Sequence, residues 1–266
     1  MHIYTACTVG VGAVLASPAA EESWAPACLP IIGGRSGSEA RNVAWPASDP
    51  VLRFDLARTE VTGRQTGPGE YTTIIRKTVT NLNILNWVTA SVDARITFRY
   101  TEGPSPKVDK QRDTVDVDIT LLQPLAISIS GVNLPAPITL NQAIYKGAGA
   151  DFKQFRQDIN QLRPGNKHHK GEIGEGGHGG HNHGLIFTAL AEPEASFTYA
   201  DPDFGMIPVP GLGKVYIAEW WAQPYWQNLT WLRVVLENAQ DRLKPGSRFT
   251  GQIVVDDGDD GVSFPP

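Results

Sequence analysis

The sequence predicts a mainly β protein with an antiparallel, sandwich-like architecture, built from about ten strands and one short helix. Three observations carry this. A two-residue hydrophobic rhythm runs unbroken through much of "LNILNWVTASVDARITFRY", Leu82 to Tyr100. Turn formers abound, with 27 Gly and 20 Pro among 266 residues. Nowhere do strands alternate with helices in the βαβ order that a parallel sheet requires.

The elements follow in order. Val51 to Val61 and Tyr71 to Val79 flank the Gly/Pro-rich "TGRQTGPGE", which reads as a hairpin. From Leu82 the even positions are apolar except Asn86: Leu82, Ile84, Val88, Ala90, Val92, Ala94, Ile96, Phe98 and Tyr100. Thr89, Ser91, Asp93, Arg95, Thr97 and Arg99 interleave them, so one face is buried and the other solvated. A single strand of this length would span roughly 60 Å, several times the usual. The run is therefore expected to bend, bulge or cross between two sheets, near Asn86, which favours a sandwich over a flat sheet.

After "GPSPK", Val115, Val117 and Ile119 alternate with Asp116, Asp118 and Thr120, and Leu125, Ile127 and Ile129 continue as a strand. A helix is expected over about 151–162. Asp151 can cap it, Phe152, Phe155, Ile159 and Leu162 form a stripe, and Pro164-Gly165 ends it. Strands follow over Leu185–Leu190, Ala195–Tyr199, Gly213–Gln223, Leu229–Leu236 and Arg248–Val255.

Residues 1–19 read as a secretory signal, with a small apolar run from Thr8 to Ala16 and a cut after Ala19. The weak point of this reading is the absence of Lys or Arg before the apolar run, and the alternative is a buried first strand or helix. Residues 20–50 read as an irregular leader rich in Pro and Gly. Residues 51–266 then form one β domain that carries a His/Gly-rich loop at 165–184. Cleavage would remove Cys7 and leave Cys28 alone, excluding a disulfide within the chain. No run reaches the roughly 18 apolar residues of a membrane helix. The net charge of −5, with no basic stripe, argues against nucleic acid as a partner.

The main candidate for chemistry is "KHHKGEIGEGGHGGHNHG", Lys167 to Gly184. His168, His169, His178, His181 and His183 supply imidazoles suited to Zn²⁺, Cu²⁺ or Ni²⁺. Its glycines rule out a helix that would align them. Ordering ten such residues costs roughly 10–20 kcal/mol, against about 10–16 kcal/mol gained by a structural zinc. Weak, exchangeable binding is the expectation, beside the plainer reading of a solvated spacer.

The second candidate is "EWWAQPYWQNLTW", whose Trp220, Trp221, Tyr225 and Trp226 could stack on polysaccharide. Neighbours in a strand face opposite ways, so at least one of Trp220 and Trp221 belongs to the core. Glu219 beside them is the first suspect for a glycosidase acid. The cluster "VVDDGDDGVS" near the C-terminus lacks EF-hand spacing and reads as a solvated acidic tail. No P-loop, dinucleotide fingerprint, His-Glu-x-x-His or nucleophile elbow occurs.

Two blocks, "TNLNILNWVTASVDARI" (80–96) and "GKVYIAEWWAQPYWQNLTWLRVVL" (213–236), resemble segments of exported bacterial β-proteins of unassigned function. The resemblance implies export and nothing about mechanism. The sequence thus favours an exported non-enzyme that binds divalent transition metal through its histidines. A carbohydrate-binding or carbohydrate-active protein is the alternative.

Overall fold

In a computed structural model, residues 4–102, 114–134, 136–141, 185–190, 206–223, 226–244 and 246–259 are described. They contain thirteen strands and no helix. The helix expected over 151–162 and the strand expected over Ala195–Tyr199 lie outside the described residues.

The strands are β1 (Cys7–Ser17), β2 (Ala19–Cys28), β3 (Gly34–Trp45), β4 (Leu52–Gly67), β5 (Glu70–Ile84), β6 (Val88–Thr101) and β7 (Thr114–Leu121). They continue with β8 (Ala126–Ile129), β9 (Leu185–Thr188), β10 (Met206–Val209), β11 (Gly213–Gln223), β12 (Trp226–Ala239) and β13 (Phe249–Asp259). Two sheets result. One has seven strands in the order β10-β11-β12-β13-β1-β2, with β9 added on β11. The other has six in the order β3-β4-β5-β6-β7, with β8 added on β6. Every pairing between them is antiparallel. The chain thus starts in the first sheet, crosses to build the second, and returns to finish the first.

The rhythm from Leu82 to Tyr100 does what its period requires: every apolar even position is buried. It is a hairpin, however, not one bent strand. β5 ends at Ile84, Leu85 and Asn86 take left-handed backbone (φ 48° and 56°), and β6 begins at Val88. Asn83 secures the reversal by accepting the Asn86 amide proton at 3.0 Å. The parity survives because Ile84 and Val88 are register partners, so both legs keep their even positions inward.

In the full-length chain the N-terminal segments form strands. The segment 1–19 expected to be a leader holds β1, hydrogen-bonded to β13 on one side and β2 on the other. Its Ala6, Val11, Ala13 and Leu15 join the core, because they repeat with strand spacing and meet an apolar partner sheet. The irregular leader expected over 20–50 holds β2 and β3, both fully paired along one edge. Cys7 and Cys28, opposite each other in register, form a disulfide in the full-length chain. Gly10 lets β1 lie close to its neighbour β2 and to the second sheet: a Cβ there would sit 3.0 Å from the Ala25 Cβ on β2 and 3.1 Å from the Ala57 Cβ on β4.

The apolar interior is continuous between the sheets, from Phe54, Val61, Ile75 and Val92 on one side to Val215, Trp231, Val234 and Ile253 on the other. Among the described residues no helix is long and apolar enough to cross a membrane.

Candidate functional site

Strand parity places polar groups in two layers, one inside the sandwich between the two sheets and one on the outer face of the seven-stranded sheet. The inner layer begins with an anomaly on β5. Thr73, Ile75, Lys77 and Val79 share the inward parity, so a lysine stands where an aliphatic residue belongs. On β13 the inward series Ile253, Val255 ends in Asp257. The two meet across the interior: Lys77 Nζ lies 2.8 Å from Asp257 Oδ1, with side chains 0 % and 1 % exposed.

Local irregularities supply the remaining partners. The β1–β13 register shifts between Val9 and Gly12, and the β12–β13 register shifts between Thr230 and Leu232. Both shifts abut Asp256, the register partner of Val9 and of Thr230. Lys77 donates to the Val9 carbonyl at 2.8 Å and also to the Asp256 carbonyl. Its three protons therefore have three acceptors. Asp257 accepts at Oδ1 from the Thr8 hydroxyl and at Oδ2 from Trp231 Nε1, the latter at 2.5 Å. Burial pulls the Lys77 ammonium below the ordinary lysine value, against the opposing pull of Asp257 and Asp256.

The outer layer is a patch on β11, β12 and β13. Tyr216 faces Arg233, Glu219 faces Thr230, and Trp221 faces Asn228 across β11 and β12. Arg233 grips Glu219 through both carboxylate oxygens, at 2.6 and 2.5 Å, while its guanidinium covers the Tyr216 ring at 3.7 Å. Asp256 accepts from Thr230 Oγ1 at 2.8 Å and from Asn228 Nδ2 at 3.1 Å. Burial pushes its carboxyl above the usual aspartate value, with Lys77, Asn228 and Thr230 working the other way. Both acids in this patch thus have both oxygens engaged, an arrangement that builds sheet structure before it builds acid–base catalysis.

The aromatic candidates separate as strand geometry demands. Trp220 is fully buried, and so is Trp231. Trp221 is half-buried on the outer face. A platform of several coplanar rings is therefore not what Trp220 contributes to; its indole is core. Tyr225 lies outside the described residues, and Trp226 is described only as the backbone partner of Gln223. Glu219 is nearly buried and ion-paired. The acidic cluster at the C-terminus is not simply a solvated tail, because β13 carries Asp256 and Asp257 into the sheet.

His168, His169, His178, His181 and His183 lie outside the described residues, but the points where the chain leaves and returns do not. Leu140 bridges Leu190, and the Asn141 amide donates to the Ala189 carbonyl at 2.8 Å. Ala189 in turn donates to Ala218 on β11 at 2.7 Å. The stretch bearing the histidines therefore departs from and rejoins one clasp on the seven-stranded sheet. Among the described residues no group of three or more His, Cys, Asp or Glu is placed to hold a metal.

Lys77 and Thr8 were not singled out from the sequence, and Asp257 stood there only as one member of the acidic cluster, although a signal for its inward position was present. A charged residue at inward parity is visible in "YTTIIRKTV" and in "QIVVDD" once the period-two faces are assigned.

A family model described as a domain of unknown function (DUF8256) matches residues 2–134, half of the chain. That span covers β1 to β8: the whole six-stranded sheet and the β1–β2 hairpin of the other. No curated protein and no solved structure matches the chain.

Proposed function

The chain belongs to the DUF8256 family, and for this member we propose a non-enzymatic, exported β-sandwich that binds divalent transition metal through His168, His169, His178, His181 and His183. The observation that carries the reading is the clasp of Asn141 on Ala189 and Leu140 on Leu190. A segment whose ends are already pinned side by side can gather around an ion without disturbing the sheets. Part of the closure entropy of its ligand set is met in advance. The engagement of every oxygen of Glu219, Asp256 and Asp257 supports the non-catalytic half of the proposal. Export is supported by the disulfide that uses both cysteines of the chain, since such bonds persist in oxidising compartments.

Equilibrium dialysis of the purified chain against Zn²⁺, Cu²⁺ and Ni²⁺ tests the metal reading. The expected result is micromolar binding that disappears when the five histidines are replaced by Asn. Affinity no better than millimolar in the unaltered chain ends it.

The carbohydrate reading keeps one specific support, the half-buried Trp221 beside Asn228 on the outer face. Loss of retention on polysaccharide columns in Trp221→Ala, with folding intact, is what that reading requires.

A further inference from the structure

We propose that Lys77 and Asp257 condense into an amide, so that a covalent bond joins β5 of one sheet to β13 of the other through the interior. The inference is independent of any metal at the histidines. It begins from the geometry of the ammonium. Two of the three protons on Lys77 Nζ are taken by the carbonyls of Val9 and Asp256. The third position points at the Asp257 carboxyl, 2.8 Å away at Oδ1. When that third proton passes to Oδ1, the lone pair left behind faces the carboxyl, while the other two N–H groups hold the nitrogen from turning.

The carboxyl is held as firmly as the amine. Trp231 Nε1 donates to Oδ2 at 2.5 Å and the Thr8 hydroxyl donates to Oδ1. The two oxygens thus have distinct surroundings that suit distinct roles. In the reaction, the amine nitrogen attacks Cγ, and Oδ2 takes up the negative charge against the indole N–H. The tetrahedral centre then re-forms its C=Oδ2 bond and breaks the bond to Oδ1. Oδ1 already carries the first ammonium proton, takes the second from nitrogen, and leaves as water. One C–N bond forms, one C–O bond breaks, no electron changes owner, and no co-reactant enters.

The surroundings favour this course. Both side chains are sealed from solvent, so bulk water does not compete as nucleophile or pull the products back. Burial biases Lys77 toward the neutral amine that the attack needs. Fixing both partners in one interior converts a slow bimolecular condensation into a positioned unimolecular one. A buried ion pair carries a desolvation penalty that an amide does not.

The test is the mass of the full-length chain, unfolded in acid after its disulfide is reduced, followed by peptide mapping. The expected result is a chain lighter than its sequence by one water, yielding a branched peptide that joins the Lys77 and Asp257 segments. Lys77→Met should restore the full mass, a readout that needs no folded variant. Asp257 precedes Gly258, and such a pair can lose water by closing on its own backbone. A loss confined to the peptide holding residues 257 and 258 therefore overturns the proposal, as does recovery of the Lys77 and Asp257 peptides only as separate linear species.

Discussion

Trp231 on β12 donates its indole proton to Asp257 on β13 at 2.5 Å, and both side chains are out of contact with water. Leaving a buried acceptor without its donor costs typically about 1–3 kcal/mol, whether Oδ2 belongs to the carboxylate or to the amide proposed above. Trp231→Phe keeps an aromatic ring in the core but removes the donor. Urea unfolding of this variant should give a stability loss in that range with an unchanged slope. A loss below about 0.5 kcal/mol would mean that the Asp257 carboxyl does not depend on the indole.

The disulfide offers a second measurement. Cys7 and Cys28 enclose the β1–β2 hairpin with a sequence separation of 21. Chain entropy assigns a cross-link of that span about 3 kcal/mol. Cys7→Ser with Cys28→Ser should lower the unfolding free energy by roughly that amount while leaving far-ultraviolet dichroism unaltered. A midpoint that does not move on substitution would show that β1 and β2 are held without it.

Removal of residues 1–19 makes a sharper case, because it takes away β1 and with it Thr8, Val9 and Cys7. β13 and β2 would each lose a ladder partner, and Lys77 an acceptor. The chain from residue 20 onward should therefore fail to unfold cooperatively on heating. A cooperative chain that starts at residue 20 would restore the leader reading and contradict β1 as an essential strand.

These cases mark where the sequence was readable. Strand parity survives turns, so Leu82 to Tyr100 announced its buried face although the reversal at Leu85–Asn86 looked like a bend. β11 was bounded correctly over Gly213–Gln223 because Gly and Pro punctuate both ends. β1 escaped because a small-residue apolar run satisfies a signal peptide and a buried strand equally well. β2 and β3 escaped because they lie at sheet edges, where one-sided burial and polar residues blur the rhythm. The Lys77–Asp257 pair joins positions far apart in the chain, and parity says which way a side chain points without saying whom it meets.

The clasp at the foot of the histidine segment gives a prediction about independence. Because Asn141 and Ala189 are already bonded, deleting 165–184 and closing the gap with a short Gly/Ser linker leaves the ladder contacts of β9 with β11 in place. The deletion should change the thermal midpoint by no more than a degree or two and abolish the metal binding measured by dialysis. A large fall in the midpoint would show that the segment contributes packing, and retained binding would move the metal site elsewhere.

Asp256 yields a pH dependence whose sign is fixed. Its carboxyl sits between Thr230 and Asn228 on the outer face, and burial raises it above the ordinary value of 3.8. The folded chain therefore binds this proton more tightly than the unfolded chain does. The stability it contributes is complete below 3.8 and is lost as pH rises through the raised folded value. Asp256→Asn has no proton to lose, so the wild-type stability minus that of the variant should decline from about pH 4 upward and then level off. Urea midpoints collected at successive pH values in both proteins measure this difference directly. A difference that instead grows with pH across the same window would mean that the hydrogen bonds from Thr230 and Asn228 outweigh burial at this carboxyl.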